Sequence, residues 1–561
     1  MVKHEKKVTV YTRAAEHPEK KSTVDDHVRG PVHCAKKAAY EKKQRNGEIR
    51  QQRTITSTIS IADSKKELIE DLIQALATAN IPLEKVNSLI PFFRKHVKQG
   101  GFIPQAPTLC QMYLPQIFEN HLTQLKLMFE SKPVAITMDE TTDDCARSVV
   151  NTLFHFRTNT KLVSVDFLIQ VNNSTIGSTL LTILTKYNIP FSLPHLFISD
   201  SAAYMKKCFR EVLKPVMPQL IYAPCCAHIL NLIGETWQKF NPFAILKEFL
   251  AKVKECFVRS PARRGRYLTH LRNYGISSPC KIPLPTSTRW NSWFKMVEYT
   301  KIHILYWNSF FQDEVTNDST NETLKNILKT LSDPFKFGTI SVYIHFISIY
   351  ARQFIQDTDF FQKQNKPIFP FVEGRLNHFS AFLESNCNFQ DFGPDLDNTI
   401  ISHYFNPPDF YPVFRLAFEA AFNKFNAHIP SHPTRSLFLA AQIFDPKYIL
   451  LGPLERKNLR QYSAIRELAN PSDELLCEWS IYCGLQLENS VEEINLEEYW
   501  MNLGDKLPIL SKIALDYIWL PVSSCSVERS FSIYNNILDE NRQNLSEDSL
   551  KGLNMMYFNG N

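Results

Sequence analysis

The chain has 561 residues, 44% of them hydrophobic and 12% aromatic, and a formal net charge of +6. No apolar run of 18 residues occurs and the first residues, MVKHEKK, are polar, so neither a membrane span nor a secretory signal is supported. Sixteen glycines in so long a chain speak against Gly-rich phosphate loops. Twelve scattered cysteines without a C-x-x-C pair read as reduced thiols and not as a disulfide framework. At roughly 150 residues per core, three or four units are expected.

Residues 1–53 carry 14 Lys and Arg against 7 Asp and Glu, a net of +7 that leaves −1 for all that follows. A basic, polar leader on a near-neutral body suits phosphate backbones, and equally a solvated tail. His27 and His33 have the spacing of the His pair that closes a small zinc finger, but no Cys pair precedes them, so no intact zinc site is expected. Further on, Ser64-Lys-Lys-Glu67 is a capping box ahead of Leu68, Ile69, Leu72, Ile73 and Leu76 at helical spacing, with a stop at Asn80-Ile-Pro82. A second helix is expected over Pro82–Lys98, closed by Gly100-Gly101, and a third from Thr108 to Glu130.

The stretch 132–237 organises the rest. Strand-like runs PVAITMD, ending at Asp139, SVVNTLFHF at 148–156 and KLVSVDFLIQV at 161–171 are followed by a helix over about Ser178–Tyr187. A buried strand HLFIS then leads to Asp200, and a helix over Ala202–Leu213 to IYAP at 221–224 and a helix opening CCAHILNL. Three strands and then helix–strand alternation predict a mixed sheet with helices on its faces. The order resembles the front half of an RNase H-like core, a topology in which the first and fourth strands end side by side, here with Asp139 and Asp200 at those ends. Two such carboxylates suit a hard divalent cation, although an Asp after a strand also serves as a turn residue or helix cap, and Asp143 and Asp144 stand close by.

From about Phe240 to Asp505 the 3.6-residue period recurs, with Pro-rich connectors such as NPPDFYP at 406–412. The last segment, from Leu520, opens a helix in which Val527, Phe531, Tyr534 and Leu538 form one apolar stripe. Glu528 stands at the edge of that stripe and Arg529 nearly opposite, so Glu528 would be partly desolvated beside a buried face.

Two resemblances sharpen this reading. The fragment DHVRGPVH together with the stretch at 75–120 resembles the CGG triplet repeat-binding proteins, which carry a BED-type zinc finger; His27 and His33 would be its remnant. The motifs ITMDETTD at 136–143, ISDSAAYM at 198–205, PCCAHILNL at 224–232, TRWNS at 288–292 and SSCSVERSFS at 523–532 resemble, in order, those of the hAT superfamily of DNA transposases and their host-derived relatives.

The resemblance implies an α/β, α-rich fold with an RNase H-like mixed-sheet core. A basic leader would occupy 1–58, a helical module 59–130, the first part of the core 131–239, a large all-helical insertion 240–510, and the end of the core with a dimerisation region 511–561. It implies that Asp139, Asp200 and Glu528 are the acidic triad for Mg²⁺ or Mn²⁺. It also implies that Cys225 and His228 form a Cys-x-x-His motif near that site, and that His228, Arg289 and Trp290 contact DNA, the Trp by stacking on a flipped base. Expected partners are DNA and a second copy of the chain, with no membrane, no small-molecule substrate and no zinc. The expected role is a nuclear, transposase-derived DNA-binding protein acting on repeats, chromatin or transcription. The alternative is an active cut-and-paste transposase with a two-metal site.

Overall fold

The computed structural model describes residues 28–45, 55–97, 103–286, 291–487, 494–538 and 545–560. The chain divides into two compact units, Met1–Ile117 and Phe118–Asn561.

In the first unit, helix α1 (Ile55–Thr78) buries Ile69, Ile73, Leu76 and Ala77 on one stripe. It begins well before Ser64, so the expected capping box lies inside the helix; the apolar period matches the buried stripe, whereas the helix start lies earlier. Its end is governed by Asn80, which takes the left-handed conformation (φ 51°). The amide N–H groups of Asn80 and Ile81 return to the carbonyls of Ala77 (3.2 Å) and Leu76 (2.8 Å), which satisfies two carbonyls the helix leaves unpaired. Helix α2 (Lys85–His96) packs through Val86 and Ile90, and the Asn87 side chain accepts a hydrogen bond from Ala106 N–H at 2.9 Å. The expected third helix is interrupted by a π-turn at Leu109–Tyr113 before it continues as Leu114–Phe129.

The second unit is built on a five-stranded sheet in the order β3-β2-β1-β4-β5. The strands are β1 (Ala135–Thr142), β2 (Ser148–Phe156), β3 (Asn159–Leu168), β4 (Leu196–Ser199) and β5 (Ile221–Pro224). β1, β2 and β3 are antiparallel neighbours, while β4 runs parallel to both β1 and β5. The predicted mixed sheet is therefore present, with the first and fourth strands adjacent. Period-two alternation splits its residues between two cores. Ala135, Leu196, Ile198 and Ala223 join the larger core, made mostly of helices. Ile136, Met138, Phe197 and Tyr222 face the smaller core.

Helix α3 (Asn173–Lys186) covers the smaller core and starts five residues earlier than expected. Asn172 accepts from the N–H groups of Ser174 and Thr175 while Thr175 Oγ1 accepts from Asn172 N–H, a reciprocal cap that fixes the start there. After β4 come the short helix α4 (Ala203–Cys208) with a π-turn at Phe209–Leu213, and after β5 the helix α5 (Cys226–Gln238).

Helices follow one another from Ala244 to Asn502 among the described residues, the longest being α6 (Pro334–Phe361). Their core is aromatic: Trp237 of α5 sits among Phe346, Phe354 and Phe418, with its indole N–H donated to the Ala417 carbonyl at 2.8 Å. Gly234, one turn earlier, leaves room for the Phe294 ring, which a Cβ would meet at 2.9 Å. The supposed connector NPPDFYP is instead the first turns of helix α7 (Pro407–His428). Its opening prolines occupy positions whose N–H groups need no intrahelical partner.

The chain then returns to the sheet. Helix α8 (Cys525–Ile537) buries Val527, Phe531 and Tyr534 in the smaller core as the predicted stripe requires; Leu538, the stripe's last member, is buried there just past the helix end, and Ile537 joins them. Helix α9 (Glu547–Gly560) lies along β3, where the Asn559 amide accepts from Leu162 N–H (2.8 Å) and donates to the Leu162 carbonyl (2.9 Å). All twelve cysteines are free, and no described helix is long and apolar enough to cross a membrane.

Candidate functional site

Parallel pairing of β1 with β4, two interior strands, brings Asp139 and Asp200 side by side at the same end of both. Asp139 lies within β1 opposite Asn151, and its Oδ1 accepts from Glu140 N–H at 2.9 Å. Asp200 follows β4 directly. Its Oδ1 accepts from Ala202 N–H at 3.1 Å, and its main-chain carbonyl is held by the Tyr222 hydroxyl (2.9 Å) and Ser199 Oγ (2.9 Å). That is a tight turn and not a helix cap, since α4 has no side-chain cap. Glu528, in the first turn of α8, comes in from the far end of the sequence and accepts a long hydrogen bond from Ser524 Oγ at 3.4 Å.

The electrostatics tie these three groups together. Burial, and then the charge of Asp200, push Asp139 well above the usual carboxylate range; Glu528 adds to this and the Glu140 N–H opposes it. Burial pushes Glu528 up to about 7, against the Ser524 hydroxyl and Arg529 and with a contribution from Asp200. No described salt bridge involves Asp139, Asp200 or Glu528. Carboxylates crowded without a cation are the donor set a hard divalent ion would relieve. As placed, however, no group of three or more His, Cys, Asp or Glu among the described residues could hold a metal ion.

Asp143 is not a competing candidate. It accepts from the N–H groups of Cys145 and Arg147, from the Arg147 guanidinium (2.8 Å) and from the Tyr534 hydroxyl (2.8 Å). Burial works against its ionisation, yet these donors hold it below the usual range. It clips the β1–β2 turn to α8, and Asp144 beside it is exposed.

The Cys-x-x-His segment has a structural explanation of its own. Cys225 Sγ accepts from His228 N–H at 3.4 Å, capping α5, and from Ser524 N–H at 3.2 Å, just before α8. Burial pushes this thiol up to about 11, so it stays protonated. One buried sulfur thus locks the start of α5 to the helix that carries Glu528. His228 is half-buried and near His428 of α7.

Arg289 and Trp290 lie outside the described residues, as does His27. Beyond them, Asn291 is left-handed (φ 56°) and opens the helix Ser292–His303, in which Trp293 and Phe294 are buried. His33 lies in the helix Pro31–Arg45.

Sequence reasoning missed Tyr222, whose hydroxyl holds the Asp200 carbonyl, and Ser524. It also missed a cavity of about 690 Å³ that begins at Ser201 and is lined by Lys206, Arg210 and Lys214. The four-residue spacing of those three cations marks one wall, but nothing local joins it to the other.

Three stretches match family models: residues 60–116 the CGGBP1 helical domain, residues 223–327 the ZBED1 RNase-like helical domain, and residues 480–559 the hAT family C-terminal dimerisation region. Over 107 residues, 18% of this chain, the sequence is 35% identical to CGG triplet repeat-binding protein 1 of Homo sapiens and equally to that of Mus musculus. The matched stretch spans 62% of the length of those relatives.

Proposed function

We propose that this chain, which carries an hAT family C-terminal dimerisation region and a ZBED1-type RNase-like helical domain, is a transposase-derived nuclear protein that binds DNA as a homodimer. Its role on this reading is at repeats or chromatin, in the control of transcription. We read its sheet as an RNase H-like core. The name of the relatives matched at the N-terminal side, CGG triplet repeat-binding protein 1, supports repeat DNA as the ligand, and the basic leader supplies an electrostatic reason for it.

The observation that carries the reading is the convergence of Asp139, Asp200 and Glu528, from two adjacent parallel strands and a helix more than 300 residues later, with no ion pair to any of them among the described residues. In such sites Mg²⁺ or Mn²⁺ supplies Lewis-acid activation of the attacking and leaving oxygens of a phosphodiester. On this reading Asp139, Asp200 and Glu528 would all three hold the ions, drawn together from the spacing at which, as placed, they form no metal-holding group. The same three carboxylates favour a second reading, an active cut-and-paste transposase. A fold and an acidic constellation permit that chemistry without requiring it.

Two measurements test this. Binding of the full chain to duplex DNA is expected to weaken linearly in log–log form with salt; absence of binding in low salt refutes the reading. Nicking of supercoiled plasmid in Mn²⁺ that both Asp139→Asn and Glu528→Gln abolish would make the transposase reading the primary one. DNA binding without nicking would leave the DNA-binding reading in place.

A further inference from the structure

The cavity beside Asp200 holds about 690 Å³, the size of a site for one nucleotide. One wall is the helical run after β4, which supplies Lys206, Arg210 and Lys214; the other is the end of α7 with the loop beyond it, which supplies His428 and His432. No Asp or Glu lines it. The Lys206 ammonium has no carboxylate partner among the described residues, whereas exposed Arg210 pairs with Glu211 at 2.9 Å. Lys214 is committed to the fold, donating to the carbonyls of Pro218 (2.6 Å) and Leu220 (3.0 Å).

The positive field is visible in His428, whose pKa is lowered by burial and then by Lys424, Lys206 and His228. His432 is buried and neutral in character: one ring nitrogen lies 3.0 Å from the Pro224 carbonyl and the other accepts from Thr434 N–H at 3.3 Å. The floor is aromatic, with Phe209 and Tyr222 stacked at 5.3 Å. Tyr222 also connects the cavity to the carboxylates, because its hydroxyl holds the Asp200 carbonyl. Asp200 faces Asp139 and Glu528 while the next residue, Ser201, lines the cavity.

A concave site with cations on its rim, an aromatic floor and no acid suits a phosphate with a flat group attached. We propose that this cavity receives one nucleotide of a DNA strand lying across the carboxylates, with Lys206 and Arg210 binding its phosphodiester and Phe209 and Tyr222 carrying its base. The assignment rests on the DNA-binding reading above. Lys206 and Arg210 are positioning residues for the strand; they lie at the rim and hold nothing of the core.

The test uses the full chain and an oligonucleotide duplex with a single-stranded overhang. The double variant Lys206→Glu, Arg210→Glu is compared with Lys325→Glu, Lys329→Glu, which reverses two exposed lysines on the helix Glu322–Ser332. Loss of two phosphate contacts is expected to weaken binding about tenfold or more and to flatten the log–log salt slope by about 2, with little change in the control. Ala427→Trp, which fills the rim without altering charge, is expected to reproduce the flattened slope. If the pocket double variant behaves as the control does while the unaltered chain binds DNA, the pocket assignment is overturned and the functional reading stands. If the unaltered chain binds no DNA but the cavity protects Arg210 from modification in the presence of thymidine diphosphate, the site takes free nucleotides, and both the strand assignment and the functional reading fall.

Discussion

Replacing Glu528 with Gln removes a half-buried carboxylate while keeping a side-chain carbonyl to accept from Ser524. In the native protein that carboxyl ionises near pH 7, against 4.5 as its ordinary value. The folded state therefore holds a proton that the unfolded chain has already released across the interval between them. Stability falls as pH rises through that window, because ionisation favours the unfolded chain more than the folded one. Between pH 5 and pH 8 the wild type should lose about 2.5 kcal/mol relative to the Gln variant, from about 1.36 kcal/mol per pH unit of differential proton binding. At pH 5 the two should be nearly alike; at pH 8 the variant should be the more stable. The assay is urea denaturation of both proteins at pH 5 and pH 8, in chelator, followed by tryptophan fluorescence. A Gln variant that is equally destabilised at both values would refute the argument, since it would mean that Glu528 is held as an anion by a partner and not stranded beside other acids.

Two further outcomes follow from packing. Trp237→Ala should cost about 3–5 kcal/mol, because it empties a fully buried site among Phe346, Phe354 and Phe418 and removes the indole N–H donated to the Ala417 carbonyl; a shift in the urea midpoint reads it. Tyr534→Phe should cost about 1–3 kcal/mol by removing a donor to the buried Asp143 carboxylate, and hydrogen exchange in the β1–β2 turn should quicken with it.

The parts of the fold set by local pattern were legible. Alternation in VAITMD and the compact run HLFIS placed β1 and β4, and with them Asp139 and Asp200. The stripe from Val527 to Tyr534 placed Glu528. Boundaries failed where a local signal had two meanings. Ser64 with Glu67 looks like a helix start, but the weak helix formers before it are helical all the same. The true cap at Asn172, answered by Thr175, lacks the acidic partner that makes such boxes conspicuous. β3 stops at Leu168, short of Val171, as the chain turns toward that cap. Pro407, Pro408 and Pro412 read as a connector, although the first two fall in the first turn, where a helix accommodates proline, and the third lies inside the helix. The basic cavity was out of reach for a different reason: its walls are more than 200 residues apart, and no local period joins Lys206 to His428.

The Cys225 thiol also has a consequence for how the protein is made. It meets the Ser524 amide across a separation of 299 residues, and the helix that covers Ile136, Met138 and Phe197 is the one Ser524 precedes. At roughly 5–20 residues per second of synthesis, the part of that sheet face which α3 leaves to α8 stays uncovered for about 15–60 s while the intervening helices emerge. The cell must shield that apolar surface from other chains until α8 arrives. Chaperone supply during translation, more than the final free energy of folding, would then set how much of the protein accumulates.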